Sequence, residues 1–222
     1  MAAPLVWMPE GGPLWFPPVE RASRDGLLMV GGDLSPERLL KAYASGIFPW
    51  YEEGSLILWW SPDPRCVLFP EKLHVGASLR RVLNSGRFRF TENTCFERVI
   101  RACAEVPRPG PDGTWLVPDM IEAYIRLHGS GHAHSMEVWQ DGELAGGLYG
   151  VQIGRAFFGE SMFHWRSDAS KAAVVHLAEW LRSRGVEMVD CQQTTPHMVR
   201  MGAEEMPRKI FLQKLRKRYL PH

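Results

Sequence analysis

The chain has 222 residues, 45% of them hydrophobic and 23% charged, with a formal net charge of +1. Its length exceeds the common domain of ~100–200 residues and lets it bury roughly 70% of its unfolded surface, so one large domain, or one domain with a small annex, needs no covalent staples. The four cysteines, Cys66, Cys95, Cys103 and Cys191, show no CxxC pair and no partnering His spacing, so neither a zinc site nor a disulfide framework is indicated.

The N-terminal stretch is broken by prolines, has no basic leader, and no apolar run approaches the ~18–20 residues of a membrane span, so a soluble, cytoplasmic protein is expected. In "LSPERLLKAYASG" Ser35 is placed as an N-cap with Pro36 in the first turn and Gly46 as the stop, predicting a short helix. "LILWW" and "CVLF" read as strands around a proline-rich turn, and this junction is taken to divide a small N-terminal domain (1–62) from the main domain (63–222). Helices are predicted over Val75–Asn84 and Cys95–Val106, the second opened by a capping box from Thr94 to Glu97, with "RFRFTE" as a strand between them.

"PRPGPDGTW" is a loop by composition, and "PDMIEAYIRLHGSG" returns to a helix ended by glycine. "HSMEVWQ", "ELAGGLYGVQIG" and "RAFFGESMF" predict an antiparallel meander with Asp141-Gly142 at the first turn. An amphipathic helix capped near Ser167 or Asp168 and ending at Gly185 follows, then the strand "VEMVDCQ" and a helix started by Thr195-Pro196. The fold class is therefore α+β. At the C-terminus "PRKIFLQKLRKRYL" carries Arg208, Lys209, Lys214, Arg216, Lys217 and Arg218 without an acid. Read as residues, it is a terminal helix with Ile210, Phe211 and Leu215 turned inward, or a strip that meets phosphate.

Strand alternation sorts the polar residues of the last strand. Asp190 and Gln192 share one face, and Val189 and Cys191 the other. Cys191 is thus read as a small buried residue in preference to a nucleophile. Asp190 and Gln192 can equally meet a ligand or bond a neighbouring turn. In "RAFFGESMF" the faces are Ala156, Phe158, Glu160, Met162 against Phe157, Gly159, Ser161, Phe163. An acid on so apolar a face must pair with a basic side chain or await a cationic ligand.

The segments "GLLMVGGDLSPERLLKAYASGIFPWY", "LWWSPDPRCVL", "DGTWLVPDMIEAYIRLHGSGHAHSMEVW", "GGLYGV", "FFGESMF", "SDASK" and "VDCQQTTPHMVRMGAEEMPRKIF" together resemble the leucyl/phenylalanyl-tRNA–protein transferases, in family order from about Gly26 to Phe211. The resemblance implies a small N-terminal domain followed by a domain similar to the GCN5-related N-acetyltransferases. It also implies an enzyme of the N-degron pathway; no ligand cluster in the sequence suggests a metal, and no cofactor and a monomer are expected. Such an enzyme moves Leu, Phe or less readily Met from the charged tRNA to proteins beginning with Arg or Lys, marking them for degradation.

By the same resemblance Asp190 and Gln192 are the catalytic pair, and Glu160 holds the amino group of the donor. Tyr43, Trp50, Trp115 and Tyr124 are the aromatic residues around the site. Met162, Phe157 and Leu148 belong to the side-chain pocket, Leu148 standing where some relatives have Met. The C-terminal basic strip becomes a weak tRNA contact. A coenzyme A donor is disfavoured, because the stretch before the main helix, "FHWRSDASK", lacks the glycines whose amides cradle pyrophosphate.

Overall fold

The computed structural model describes residues 5–106 and 116–219, without the side chains of Arg218 and Tyr219. Four short strands come from its N-terminal quarter: β1 (Val6–Met8), β2 (Leu27–Gly31), β3 (Phe48–Pro49) and β4 (Leu58–Trp60). They form one sheet in the order β1-β2-β4-β3. The helix between β2 and β3, α1 (Pro36–Ala44), begins as expected, with Ser35 Oγ accepting the Arg38 N–H at 3.4 Å.

The second sheet holds seven strands: β5 (Arg65–Leu68), β6 (Arg89–Glu92), β7 (Ala133–Gln140), β8 (Glu143–Ile153), β9 (Ala156–His164), β10 (Met188–Gln192) and β11 (Glu204–Met206). Their order is β11-β5-β10-β9-β8-β7-β6, antiparallel throughout except that β10 runs parallel to β9. The predicted strands around the proline-rich turn thus belong to different sheets, β4 to the first and β5 to the second.

Helices cover both faces of the larger sheet. On one lie α1, α3 (Phe96–Glu105), α4 (Pro118–Gly129) and α7 (Arg208–Tyr219), which share a buried cluster with Val67, Tyr149, Phe158 and Met188. On the other lie α2 (Ala77–Asn84), α5 (Ala169–Ser183) and α6 (Pro196–Arg200), packed with Cys66, Leu148, Phe157 and Val189. The predicted meander is present as β7-β8-β9, and α5 is the crossover that a parallel β9–β10 pair requires.

Two local expectations are corrected. Thr94 does not cap α3, because its hydroxyl and N–H both turn to the buried Glu137 carboxylate, at 2.9 and 3.4 Å, while Glu97 pairs with Arg101 one turn on. In α7, Phe211, Leu212 and Leu215 face inward, and Ile210 is 40% exposed. The first turn of α7 sits against Gly46, whose left-handed φ of 72° ends α1. A Cβ there would press on Leu212 and the Phe211 ring, so a side chain would push α7 off the core. The strands β1, β2, β3 and β11, all of five residues or fewer, were not predicted.

Candidate active site

The site lies where β9 and β10 separate. Their parallel pairing covers only Met188–Asp190 against Ala156–Phe158, and each strand then meets a bulge. On β9 the pairing with β8 passes from Gly159↔Gly150 to Ser161↔Tyr149, so Glu160 is the extra residue. On β10 the pairing with β5 passes from Asp190↔Val67 to Gln192↔Cys66, so Cys191 is extra, and Gln192 has a φ of 61°. Gly150 permits the first bulge, since a Cβ there would collide with the Phe158 carbonyl and the Phe157 ring.

The β9 bulge also corrects the predicted face. Past Glu160 the alternation changes phase, so Phe163 joins Phe158 on one side and Met162 joins Phe157 on the other. Glu160 meets no basic side chain among the described residues. Tyr124 Oη donates to its Oε2 at 2.9 Å, the Tyr43 and Tyr124 hydroxyls are 2.5 Å apart, and Gln192 Nε2 donates to Oε1 at 2.8 Å. Burial lifts the Glu160 carboxyl to about 7, against these hydrogen bonds, which favour the ionised form. The phenols of Tyr43 and Tyr124 are pushed well up, first by burial and then by the Glu160 charge, so both remain donors.

Asp190 is fully buried. Arg65 clasps it with both forks, Nε to Oδ1 at 2.9 Å and Nη2 to Oδ2 at 2.6 Å, and the third donor, Nη1, reaches the Gly46 carbonyl at 2.9 Å. The guanidinium lies between the rings of Phe48 and Phe211, at 5.0 and 4.7 Å from their centroids. Asp190 Oδ1 also accepts the Gln192 N–H at 2.8 Å, which holds the left-handed residue in place. A carboxylate so enclosed presents no free oxygen to a ligand. Arg65 was missed in the sequence, where "DPRCVL" offers no sign that its arginine points inward.

Two spaces meet at Glu160. An apolar cavity of about 620 Å³ runs along the α5 side, lined by Leu148, Met162, Phe163, Val174, Leu177 and Met198 among others. A recess of about 210 Å³ lies toward Phe48, Pro49 and Trp50, with Gln192 in its wall. Gly159, Glu160, Cys191, Gln193 and Thr195 line both. The larger volume is ordinary for a small-molecule pocket, and among the described residues a single carboxylate lines it.

Two family descriptions match the chain: the leucyl/phenylalanyl-tRNA protein transferase over residues 67–216, and the N-terminal domain of the same transferase over residues 32–63. The first alone covers more than half of the sequence. The chain belongs to the leucyl/phenylalanyl-tRNA protein transferase family. Among curated members it is 61% identical to the transferase of Anaeromyxobacter sp. (strain Fw109-5) over 200 residues, 90% of this chain and 85% of that one. It is 55% identical to that of Myxococcus xanthus (strain DK1622) over 212 residues, 96% and 91% of the two chains. Solved structures with a similar course of chain include L-PGS from Bacillus licheniformis (TM-score 0.45, 12% identity, 76% of this chain and 54% of that). Another is a GCN5-related N-acetyltransferase from Kribbella flavida (TM-score 0.39, 11% identity, 78% and 61%).

Against the site expected of a leucyl/phenylalanyl-tRNA protein transferase, the chain brings Glu160, Met162, Leu148, Gln192 and Trp50 to one place, Trp50 being 38% exposed in the recess. Tyr43 and Tyr124 are wholly buried behind Glu160 and offer it hydroxyls, not ring faces to a ligand. Phe157 is buried under the cavity and does not line it. Trp115 lies outside the described residues. Of the basic strip, Lys209, Arg216 and Lys217 are exposed. Arg208 is spent on the chain itself, its guanidinium on the Ser61 carbonyl and its N–H on Asp63, and burial lowers its pKa. Lys214 stands 5.5 Å from the Phe69 ring, and the Arg218 side chain is not among those described.

Cys191 packs on Cys66, and that contact and burial raise its pKa well above the usual thiol range. His197 lines the same cavity, but its buried Nε2 has no hydrogen-bond partner among the described residues, so no thiol–imidazole pair forms. A Cys191→Ala protein is expected to keep transfer activity within about twofold of the wild type, measured in the assay described below. No helix among the described residues is long and apolar enough to cross a membrane.

Proposed function

We propose that this chain transfers leucine or phenylalanine, and less readily methionine, from its charged tRNA to proteins whose N-terminal residue is arginine or lysine, marking them for degradation. The observation that carries the reading is the part-buried Glu160, the single carboxylate among the described residues that line a mostly apolar cavity. Glu160 holds the donor's α-ammonium while the donor side chain enters the cavity between Leu148 and Met162. A cavity of this kind separates apolar side chains by ~1–3 kcal/mol, so methionine is admitted. The 3′ end of the tRNA leaves through the recess, with Trp50 as the exposed ring against it. The exposed Lys209, Arg216 and Lys217 of α7 give a phosphate backbone a surface to follow.

The reaction is aminolysis of an ester. The acceptor's α-amine, with an ordinary pKa of ~7.7–8.0, is in part neutral near pH 7 and attacks the aminoacyl carbonyl. A C–N bond forms, the C–O bond to the ribose breaks, and the proton lost by the amine ends on the freed 3′-hydroxyl. An activated ester asks chiefly for placement, and placement contributes ~7–11 kcal/mol. Gln192 supplies it. Its Nε2 is committed to Glu160, so its Oε1 is the atom left to accept a hydrogen bond from the incoming amine. Asp190 is a positioning residue, not a base: it holds Gln192 by the N–H and is itself held by Arg65.

The competing reading, an acyl-coenzyme A transferase, meets an obstacle at the start of α5. There Asp168, with a φ of 67° and its carboxylate bonded to Lys171 at 2.7 Å, stands in a stretch, "FHWRSDASK", without the glycines whose amides cradle pyrophosphate. The test is transfer of labelled leucine from Leu-tRNA to a peptide beginning with arginine, beside the same peptide beginning with alanine. Transfer to the arginine peptide alone is the expected result. Failure of a folded protein to transfer to either would sink the reading.

A further inference from the structure

The carboxylates near the site differ in what already occupies them. Asp190 is bound by Arg65, Glu160 is assigned to the donor, and Glu204 pairs with Lys72 at 3.4 Å. Glu52 and Glu53 lie on the exposed turn after Trp50, where no hydrogen bond among the described residues orients their carboxylates. Glu205 is different. It is exposed and has no ion-pair partner among the described residues, yet it is held: Thr194 Oγ1 donates to its Oε1 at 2.6 Å. Thr194 stands between Gln193 and Thr195, both of which line the cavity and the recess.

Strand register places Glu205 relative to the reaction centre. Gln192 of β10 is opposite Cys66 of β5, and Cys66 is opposite Glu205 of β11, so the three form one row across the sheet. At ~4.8 Å per strand the Cα atoms of Gln192 and Glu205 are about 10 Å apart. Opposed residues of an antiparallel pair turn to the same face, so Glu205 lies on the side of Cys66, where Cys191 and Gln193 border the cavity. An acceptor whose α-amine meets Gln192 carries a lysine or arginine charge about 6 Å beyond its Cα, and a glutamate reaches about 3–4 Å to meet it. Together these lengths are of the same order as the row, although the Gln192 side chain itself turns toward Glu160 on the other side of β10.

We propose that Glu205, oriented by Thr194, is the carboxylate that receives the side chain of the acceptor's N-terminal arginine or lysine. The proposal rests on the transfer reaction and on the acceptor amine lying at Gln192. It accounts for selection by charge at a distance from the chemistry: a neutral or acidic first residue leaves Glu205 unpaired or repelled.

The test compares wild type and Glu205→Gln on three peptides beginning with arginine, lysine and citrulline, the last a neutral copy of arginine, all with Leu-tRNA as donor. Wild-type inactivity on the arginine peptide would count against the transfer reading itself and is seen before any variant is made. With an active wild type, Glu205→Gln is expected to raise KM for the arginine and lysine peptides roughly tenfold to a hundredfold, the worth of a hydrogen bond to a charged group. The KM for Leu-tRNA and kcat at saturating peptide are expected to stay within about twofold, and the preference for arginine over citrulline to shrink to about threefold or less. An unchanged preference for arginine over citrulline overturns the proposal, and so does an equal loss on all three peptides or a weakened Leu-tRNA. Should Glu205→Gln not fold, Thr194→Val gives the same decision: a rise in KM confined to the charged peptides supports the role, and no rise overturns it.

Discussion

Arg65→Met is expected to cost about 3–5 kcal/mol of folding stability and to abolish measurable transfer, because it leaves the Asp190 carboxylate buried with no countercharge. Against a typical total of ~5–15 kcal/mol this is a large fraction, and urea unfolding would register it directly. The informative partner is the double variant Arg65→Met, Asp190→Leu. A buried ion pair replaced as a whole by apolar residues of similar size is often neutral for stability, so the double variant is expected to regain most of the midpoint. It is not expected to regain transfer, since Gln192 then loses the acceptor of its N–H and with it the restraint on a left-handed residue. Recovery of both stability and transfer would mean that Asp190 and Arg65 serve the core alone.

Glu160→Gln is expected to lower kcat/KM for the donor by roughly 10²–10³, the scale of losing a positioned charge at a reacting centre. The pH dependence carries the sign. The Glu160 carboxyl is raised from 4.5 to about 7, so the free protein passes from the ionised to the neutral form as pH falls through that value. Donor kcat/KM is expected to fall in step, and this inflection should be missing in Glu160→Gln. Stability moves the opposite way. A raised carboxyl pKa means that the folded chain binds its proton more tightly than the unfolded chain, so the contribution is complete below about 4.5 and is lost as pH rises through about 7. Glu160→Gln is therefore expected to melt no lower than wild type at pH 8 while transferring almost nothing. A variant that both unfolds early and loses transfer would show Glu160 to be structural.

Much of the site was legible along the chain. Glu160 announced itself as an acid among apolar residues, and Cys191 as a bystander through its neighbours on an alternating strand. The alternation was misleading beyond Glu160. A bulge adds one residue and reverses every side chain after it, so Met162 and Phe163 exchanged faces. Tyr43 and Tyr124, 81 positions apart, could be expected near the site, but not that they would meet hydroxyl to hydroxyl beneath a carboxylate. Ile210 was taken as buried because one helical stripe of three candidates looks much like another when the position of the core is unknown.

The sequence by itself determined the periodic elements, the caps of α1 and α6 and the family resemblance, since each depends on residues within a few positions of one another or on their order. Only the tertiary structure decided what Asp190 does. Its partner Arg65 lies 125 residues away, and whether a carboxylate at a strand end faces a ligand or a guanidinium depends on which strand becomes its neighbour. The same holds for Glu205, an unremarkable acid in "GAEEMPR" until β5 carries it into line with Gln192. Charge and hydrogen bonding act through space, at a few ångströms, and chain order does not reveal which distant groups the fold will bring that close.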